Sequence, residues 1–209
     1  MEIATLPRGP HKLPREQVVG SQRARLMRAM AEATAENGYV ETSVADVLRR
    51  AHVSRETFYQ LFSSKQDCFI AAYEQAASAV LAMLERESAF GETPLERFAR
   101  GIDLYLEILA SEPAFARLFM VEVYAAGDEV LARRAQIQEC FEQLMIDGAD
   151  AQSPTEQFAC RALVGAIITS VTARLAARDV DGLRALREPL VELVREALSW
   201  QEKQLVAGR

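Results

Sequence analysis

The stretch from Thr42 to Lys65, TSVADVLRRAHVSRETFYQLFSSK, has the pattern of two short helices joined by a tight turn. In the first helix, apolar residues recur at helical spacing on one face: Val44, Val47, Leu48 and Ala51. In the second helix, positions i, i+3 and i+4 form an inward stripe: Phe58, Leu61 and Phe62. The side chains left outside all carry hydrogen-bonding groups: Arg55, Glu56, Thr57, Tyr59 and Gln60. A second helix that is anchored inside and polar outside is what the major groove of DNA accepts.

Both helices begin after residues whose side chains can cap them. Ser43 precedes the first helix and Asp46 follows three positions later, which predicts a capping box with Asp in place of the usual Glu or Gln. Ser54 is positioned to cap the second helix. His52 lies in the turn between them, and histidine tolerates a positive φ angle better than most residues do. The turn is therefore expected to form with mild strain.

The exposed groups of the second helix suit DNA by their chemistry. A guanidinium can fork onto guanine, an amide onto adenine, and hydroxyls can bond phosphate oxygens. Arg55 and Gln60 are therefore the candidate base readers, whereas Thr57 and Tyr59 are candidates for phosphate or sugar contacts. Glu56 is assigned no base and is expected to orient Arg55 or to repel wrong partners. Helix starts are ready phosphate sites, and the candidates there are Thr42, Ser43, Ser54 and Lys65.

The same pattern also occurs in helical bundles that never touch DNA. A helical interaction protein is therefore the main alternative, and in it Arg55 and Gln60 could be replaced without loss of function. An enzyme is not indicated, because the sequence has no Gly-rich phosphate loop, no nucleophile with a His base and no carboxylate pair in a cleft motif. Neither His11 nor His52 has a ligand partner at metal spacing, so no metal and no cofactor are expected.

From about Arg23 to Tyr73 the chain resembles the tetracycline-repressor (TetR) family of one-component regulators. The resemblance rests on Gly38-Tyr39, Thr42-Ser43-Val44, Asp46-Val47, Ala51, Val53-Ser54-Arg55, Thr57-Phe58-Tyr59, Phe62, Lys65, Asp67-Cys68-Phe69 and Ala72-Tyr73. The departure is His52, where the family usually has glycine. The resemblance implies an all-α fold: a three-helix helix-turn-helix DNA-binding head, followed by a helical ligand-binding and dimerisation domain of about six helices.

Three parts are predicted along the chain. Residues 1–20 read as a flexible basic arm, which either reaches DNA or is a disordered leader. Residues 21–66 form the DNA-binding head, whose first helix runs from near Ser21, or from as early as Arg15, to Asn37. Residues 67–209 form the effector-binding and dimerisation domain. No strand candidate is found in any of them.

The second domain reads as helix after helix. A long helix is predicted from Lys65 to about Glu87, and the next begins with Thr93 as its cap and Pro94 at its first position. The last helix is predicted from Gly182 to about Gln204. Between them, breaks are expected at Ser111-Glu112-Pro113, at Gly127-Asp128 and from Gly148 to Ser153.

The formal charge of −6 is unevenly spread over the 209 residues. Residues 1–65 hold 10 Lys or Arg and 7 Asp or Glu, whereas residues 66–209 hold 14 and 23. A basic head on an acidic body suits a protein that presents one end to phosphate. The three cysteines lack paired spacing and are expected to be reduced thiols. Without a signal peptide or a long apolar run, the protein is expected in the cytoplasm and outside membranes.

The penultimate helix, from Thr155 to about Arg178, is apolar nearly all round, which predicts burial on more than one side. Either its own domain or a second subunit can supply that burial. The family resemblance favours a homodimer through the last two helices. Two heads related by a twofold axis would then bind a double-stranded operator that is an inverted repeat.

Large and polar side chains mix on the apolar faces of the second domain. Ten of them are candidates for an effector pocket, with plain core filling as the alternative for each: Phe98, Tyr105, Phe115, Phe119, Tyr124, Phe141, Met145, Phe158, Thr169 and Thr172. The resemblance implies that a small apolar or aromatic effector bound there releases a repressor from its operator. An activator of the same fold is the remaining alternative.

Overall fold

Local capping and apolar spacing produce a chain of helices. The computed structural model describes residues 14–88 and 90–196. Its α-helices are α1 (Arg15–Asn37), α2 (Val44–Ala51), α3 (Arg55–Leu61), α4 (Lys65–Ser88), α5 (Pro94–Ser111), α6 (Pro113–Met120), α7 (Asp128–Gly148), α8 (Pro154–Ala176), α9 (Val180–Arg184) and α10 (187–196). A 3-10 helix, Glu122–Ala125, follows α6. The described part of the chain contains no strand, and the all-α prediction is confirmed.

Helices α1, α2 and α3 form the three-helix head. Their fully buried side chains include Leu26 and Met30 from α1, Val47 from α2 and Phe58 from α3. The same apolar cluster continues into α4, α6 and α7, where Phe69 and other side chains join it. The head therefore rests on the beginning of α4 and on α6 and shares a core with them.

Helices α4 to α10 form the body, with a second apolar cluster between them. The cluster includes Leu84 of α4, Leu106 of α5, Val171 of α8 and Leu183 of α9. Helix α4 has 24 residues and therefore spans about 36 Å at 1.5 Å per residue. Since its first turn lies under the head and its last turn lies in the body, α4 connects the two.

Two predicted helix starts are confirmed by their caps. Thr93 accepts the N–H of Glu96 ahead of Pro94, and the Glu96 carboxylate accepts the Thr93 N–H. Ser153 makes the same capping box before α8. Helix α1 begins at Arg15, the earlier of the two predicted starts, because nothing after Pro14 breaks it: Gly20 costs helix stability without ending a helix. Residues 15–20, predicted as part of the arm 1–20, belong to α1, and residues 1–13 lie outside the described residues.

The prediction of one last helix from Gly182 to Gln204 is wrong in the part that the structure describes. Asp179 caps the short α9 by accepting the N–H of Gly182, a turn follows at 185–186, and α10 occupies 187–196. The reason is Pro189, whose ring would clash with the carbonyl of Ala185 in a continuous helix and which has no N–H to bond it. Residues 197–209 lie outside the described residues.

Two helices are long and apolar enough to cross a membrane by length and composition alone: Lys65–Glu87 and Pro154–Ala176. The first is packed among α1, α5, α6 and α7, as the central helix of a folded protein is. The second packs on α6, α7 and α9 with one side. Its other side carries exposed small residues: Ala159, Ala162, Ala166, Thr169 and Ala173.

Candidate nucleic-acid interface

The predicted capping box of α2 is present with Asp46 at its third position. The Ser43 hydroxyl oxygen accepts the N–H of Asp46 at 3.2 Å, and the Asp46 carboxylate accepts the Ser43 N–H at 3.1 Å. The carboxylate also accepts the Ser43 hydroxyl at 2.6 Å. These hydrogen bonds from Ser43, followed by one from Arg49, hold the pKa of Asp46 below its ordinary value. The start of α2 is therefore rigid, and its capping side chains bond each other.

The turn between α2 and α3 forms as predicted. His52 has a φ of 52° and a ψ of 46°, the left-handed region, and its N–H donates to the carbonyl of Leu48. Ser54 then caps α3, because its hydroxyl accepts the N–H of Thr57 at 3.1 Å. The hydroxyls of Ser54 and Thr57 also bond each other at 2.9 Å. Both residues thus fix the first turn of α3, and the Ser54 side chain is exposed at that turn.

Two buried aromatic rings anchor α3 to the head. Phe58 and Phe62 are buried, and their ring centroids lie 5.7 Å apart. The guanidinium of Arg23 on α1 lies 4.5 Å from the centroid of the Phe62 ring and donates to the carbonyl of Leu61 at 3.3 Å. The orientation of α3 is consequently set by α1, and its outer face has little freedom to roll.

The outer face of α3 displays the groups expected from the sequence. Arg55, Glu56, Tyr59 and Gln60 are exposed, while Thr57 is half-buried. The Arg55 guanidinium lies 5.5 Å from the centroid of the Tyr59 ring. The Glu56 carboxylate accepts the Gln60 amide at 3.4 Å. Glu56 therefore orients Gln60, whereas Tyr59 is the neighbour that orients Arg55, which corrects the expectation that Glu56 does so.

Two of the predicted phosphate-contact residues are engaged inside the protein. Thr42 is only 1% exposed, and its hydroxyl donates to the carbonyl of Gly38 at 2.8 Å. The Lys65 ammonium donates to the carbonyls of Tyr39 and Thr42, each at 2.9 Å, and lies 4.2 Å from the centroid of the Tyr39 ring. Burial lowers the pKa of Lys65. The side chains of Thr42 and Lys65 therefore stabilise the loop between α1 and α2. The contacts of Lys65 could not be predicted from the local sequence, because their partners are distant in the chain.

A buried ion pair in the body holds the same loop from the other side. The carboxylate of Glu122, which is 8% exposed, accepts the N–H of Tyr39 at 2.9 Å and the guanidinium of Arg117 at 3.2 Å. Arg117 also donates to the carbonyl of Leu175, near the end of α8, at 3.1 Å. This pair was not predicted from the sequence. The available signal was a single Glu within the apolar run FMVEVYA.

Further charged side chains surround the head. Arg50 on α2 forms a two-pronged ion pair with Glu36 on α1, and the hydrogen bond from Arg50 lowers the pKa of Glu36. Arg49 is exposed beside it and bonds Asp46. The contact of Arg50 with Glu36 ties α2 to α1, whereas Arg49 stays exposed on α2.

The ten candidate pocket residues are distributed over several packing environments. Tyr105 is buried with its ring centroid 6.2 Å from that of Phe141, and Phe119 stacks on Tyr73 at 4.3 Å. Phe98, Met145 and Phe141 pack against the body core, whereas Phe115 packs against the head core. Phe158 is 70% exposed at the beginning of α8, on the outer side of the helix.

Three candidates do meet in a groove between the 3-10 helix, α7 and α8. Tyr124, Thr169 and Thr172 line it together with Arg134, Gly165, Ile168 and Ala173, and its volume is about 430 Å³. The Arg134 guanidinium lies 5.0 Å from the centroid of the Tyr124 ring. Sequence analysis did not select Arg134, because its position on α7 shows no partner until the helices are packed.

Comparison with known proteins agrees with this geometry. The profile of the bacterial regulatory proteins of the tetR family matches residues 26–72, which run from α1 into α4 and include the whole helix-turn-helix. The fatty acid metabolism regulator protein of Bacillus subtilis is 25% identical over 105 residues, which are 50% of this chain and 54% of that protein. The chain thus spans about half the length of this curated relative.

Two further similarities cover more of the chain. The HTH-type transcriptional activator FasR of Mycolicibacterium smegmatis is 22% identical over 162 residues, which are 77% of this chain and 72% of that protein. The crystal structure of the transcriptional regulator FadR from Bacillus subtilis in complex with stearoyl-CoA has a TM-score of 0.71 at 21% identity, covering 81% of this chain and 96% of that one. The match of residues 26–72 and the shared fold lead to one conclusion: the chain carries the helix-turn-helix region of the bacterial regulatory proteins of the tetR family and is similar in fold to solved transcriptional regulators.

Proposed function

We propose that this protein is a homodimer that binds an inverted-repeat operator through α3 and represses transcription until a small, largely apolar effector releases it. The observation that carries the proposal is the outer face of α3. Four exposed side chains with hydrogen-bonding groups lie on a short helix whose cap and two aromatic anchors hold it in one orientation. The proposal includes the cytoplasm as its place of action, because that is where a bacterial regulator meets DNA.

On this proposal, Arg55 and Gln60 read base edges. Both are long and exposed, and each contacts a side chain one turn away on α3, so less side-chain freedom is lost when they bind. Tyr59 and Thr57 contact phosphate or sugar, and Ser43 and Ser54 do so at the two helix starts. Thr42 and Lys65 contribute indirectly, because they hold the loop that precedes α2.

The second subunit is proposed to cover the outer side of α8. The exposed residues Ala159, Ala162, Ala166, Thr169 and Ala173 follow one another at alternating intervals of three and four, the spacing of a helix–helix seam. Small side chains allow the partner helix to approach closely. With α10 beside it, where Leu193 is exposed, the pair would form a four-helix bundle with the partner's pair. The two α3 helices would then read half-sites roughly 34–36 Å apart.

The effector is proposed to bind the body. There it would favour a spacing of the two heads that does not match the operator over the spacing that does. A ligand shifts such an equilibrium only by its difference in affinity for the two states. The names of the relatives support an acyl compound: one regulates fatty acid metabolism, and FadR from Bacillus subtilis was crystallised with stearoyl-CoA. The buried aromatic and aliphatic side chains of the body suit such a chain.

Repression is proposed because a protein bound across a promoter blocks polymerase without a dedicated activating surface. The relative FasR is by name an activator, so the choice between repression and activation needs its own test. Transcription in vitro from a promoter that carries the selected operator should fall when the protein is added. A rise would establish activation and would leave the proposed DNA recognition intact.

The test of DNA recognition is selection of random duplexes with the purified full-length protein, followed by sequencing. An enriched inverted repeat is expected. Arg55→Ala and Gln60→Ala should each weaken binding to the selected repeat about 5- to 150-fold, and binding to random DNA much less. Arg100→Ala is the matched control, because it removes an exposed guanidinium that pairs with Glu87 at the far end of α4. Absence of enrichment, or equal losses on both kinds of DNA, would favour the helical interaction protein.

The dimer is tested separately. Ala166→Glu places a carboxylate in the middle of the exposed seam of α8 and should convert the dimer to a monomer with weak operator binding. Ala79→Glu, at an exposed position of α4, is the control and should leave the dimer intact. Light scattering after size-exclusion chromatography measures both. A dimer that survives Ala166→Glu would show that the subunits meet elsewhere.

A further inference from the structure

The groove between the 3-10 helix, α7 and α8 contains a cation that lacks a carboxylate partner. Arg134 lines it, and among the described residues its guanidinium hydrogen-bonds only the neutral amide of Gln138, at 3.3 Å. That amide in turn donates to Glu142, so a neutral group stands between the two charges. No Asp or Glu is found among the described residues that line the groove. A partly buried charge in that situation is stabilised by an anion.

A second polar group in the same groove has no partner at all. The hydroxyl oxygen of Thr172 is buried and makes no hydrogen bond to any described residue. An unsatisfied buried hydroxyl costs free energy that a bound ligand oxygen would recover. Because Thr172 and Arg134 approach the groove from α8 and α7, one ligand head lying between the two helices can engage both.

The charge of Arg134 also affects the pKa values of two buried tyrosines in the body. Burial raises the pKa of Tyr73 and of Tyr105, and the positive charge of Arg134 opposes the rise in both. The guanidinium therefore lies close enough to these buried phenols to affect them electrostatically, while it also lines the groove. Beyond them are the rings of Phe119 and Phe141, which contact Tyr73 and Tyr105. The polar groups of the groove thus adjoin an apolar interior.

We propose that this groove binds the head of an amphiphilic effector, an apolar chain that ends in an anionic oxygen group, with Arg134 and Thr172 as the residues that bond the head. The inference rests on the proposed effector response and specifies its ligand class and contacts. A volume of about 430 Å³ falls within the range of small-molecule sites. Since Thr169 and Ala173 belong both to the groove and to the seam of α8, the bound head would also bear on the spacing of the two subunits.

Direct binding measurements without DNA test the proposal. The probes are hexadecanoate, its neutral analogue hexadecanol, and hexadecanoyl-CoA, which together separate a free carboxylate from a CoA thioester as the source of the anionic head. The wild-type protein should bind at least one of the two anionic probes roughly tenfold or more tightly than the alcohol, because a charge-assisted hydrogen bond is lost with the alcohol. Equal affinity for all three probes, or no binding of any, would overturn the proposal.

Variants test whether the preference for an anionic probe arises in the groove. Arg134→Gln should abolish the preference for the anion and leave hexadecanol binding unchanged, whereas Arg134→Lys should retain part of it. Thr172→Val should weaken anion binding severalfold without lowering the melting temperature, because the hydroxyl it removes has no partner. Arg133→Gln is the control: the neighbouring guanidinium pairs with Glu74 and is absent from the groove lining. Unchanged anion binding in Arg134→Gln would refute the assignment.

Failure of this inference is distinguishable from failure of the proposed function. If the selected operator is bound and the probes are not, the DNA-binding regulator stands and the amphiphile site is wrong. If the probes bind with the expected preference and no duplex is enriched, the site stands and the DNA recognition is wrong. Release of the operator by the preferred anion, lost in Arg134→Gln, would connect the two.

Discussion

Replacing Glu122 by Ala is expected to destabilise the protein strongly, although Glu122 lies in neither the DNA-binding surface nor the groove. Its carboxylate accepts the Tyr39 N–H and the Arg117 guanidinium, at 2.9 and 3.2 Å. The side chains of Glu122 and Arg117 are 10% and 18% exposed. Among the described residues, removing the carboxylate leaves a buried cation bonded only to the carbonyl of Leu175, and a backbone N–H of Tyr39 without its partner.

Breaking a buried ion pair by removing one partner costs about 3–5 kcal/mol. The residual exposure of Arg117 puts the expected loss at the lower end, about 3 kcal/mol. For a protein of this size each kcal/mol lowers the melting temperature by roughly 2–4 °C, so the melting temperature should fall by roughly 6–12 °C. Urea denaturation and thermal unfolding followed by circular dichroism, at one fixed protein concentration, measure both quantities.

Two controls show whether the loss of stability arises because a buried charge is left without its partner. Glu107→Ala removes a carboxylate from an exposed ion pair with Arg184, and it should lower the free energy of unfolding far less than Glu122→Ala does, because solvent screens the exposed pair. Replacing Glu122 and Arg117 together by Leu removes both charges and should recover much of the loss. The reasoning is refuted if Glu122→Ala and Glu107→Ala cost the same, or if the effects of the two buried substitutions simply add.

Three further outcomes are expected. His52→Gly should raise the free energy of unfolding in urea by about 0.5–1 kcal/mol, because glycine adopts the φ of 52° without strain; a decrease would contradict this. At pH 8 a thiol reagent should modify only Cys140 in the folded protein, because burial raises the pKa of Cys68 to about 12 and also raises that of Cys160; mass spectrometry showing early modification of Cys68 would oppose it. Lys65→Met should lower stability by about 1–3 kcal/mol in the same urea assay, because two loop carbonyls lose their donor; an unchanged midpoint would mean that the ammonium does not hold the loop.

Much of the helical order could be predicted because it depends on residues within a few positions of one another. The boxes at Ser43 and Thr93 and the break before Pro113 follow from caps and prolines that act on their own turn. The inward stripe that includes Phe58 follows from the period of the helix. The break between α9 and α10 was not predicted, although its cause, Pro189, is equally local. The apolar residues on both sides of Pro189 have helical spacing and therefore suggested one continuous helix.

The exposed face of α3 could also be predicted, because a short amphipathic helix has only one inner side. The sequence by itself thus determined the helices, the caps and the candidate DNA-reading side chains. Packing of the helices was needed to show that Lys65 bonds the loop before α2, that Glu122 accepts an N–H 83 residues away, and that Arg134 faces a groove whose described lining contains no carboxylate. These contacts join residues far apart in the chain, and their energies arise from burial and charge that exist only once the helices have packed together.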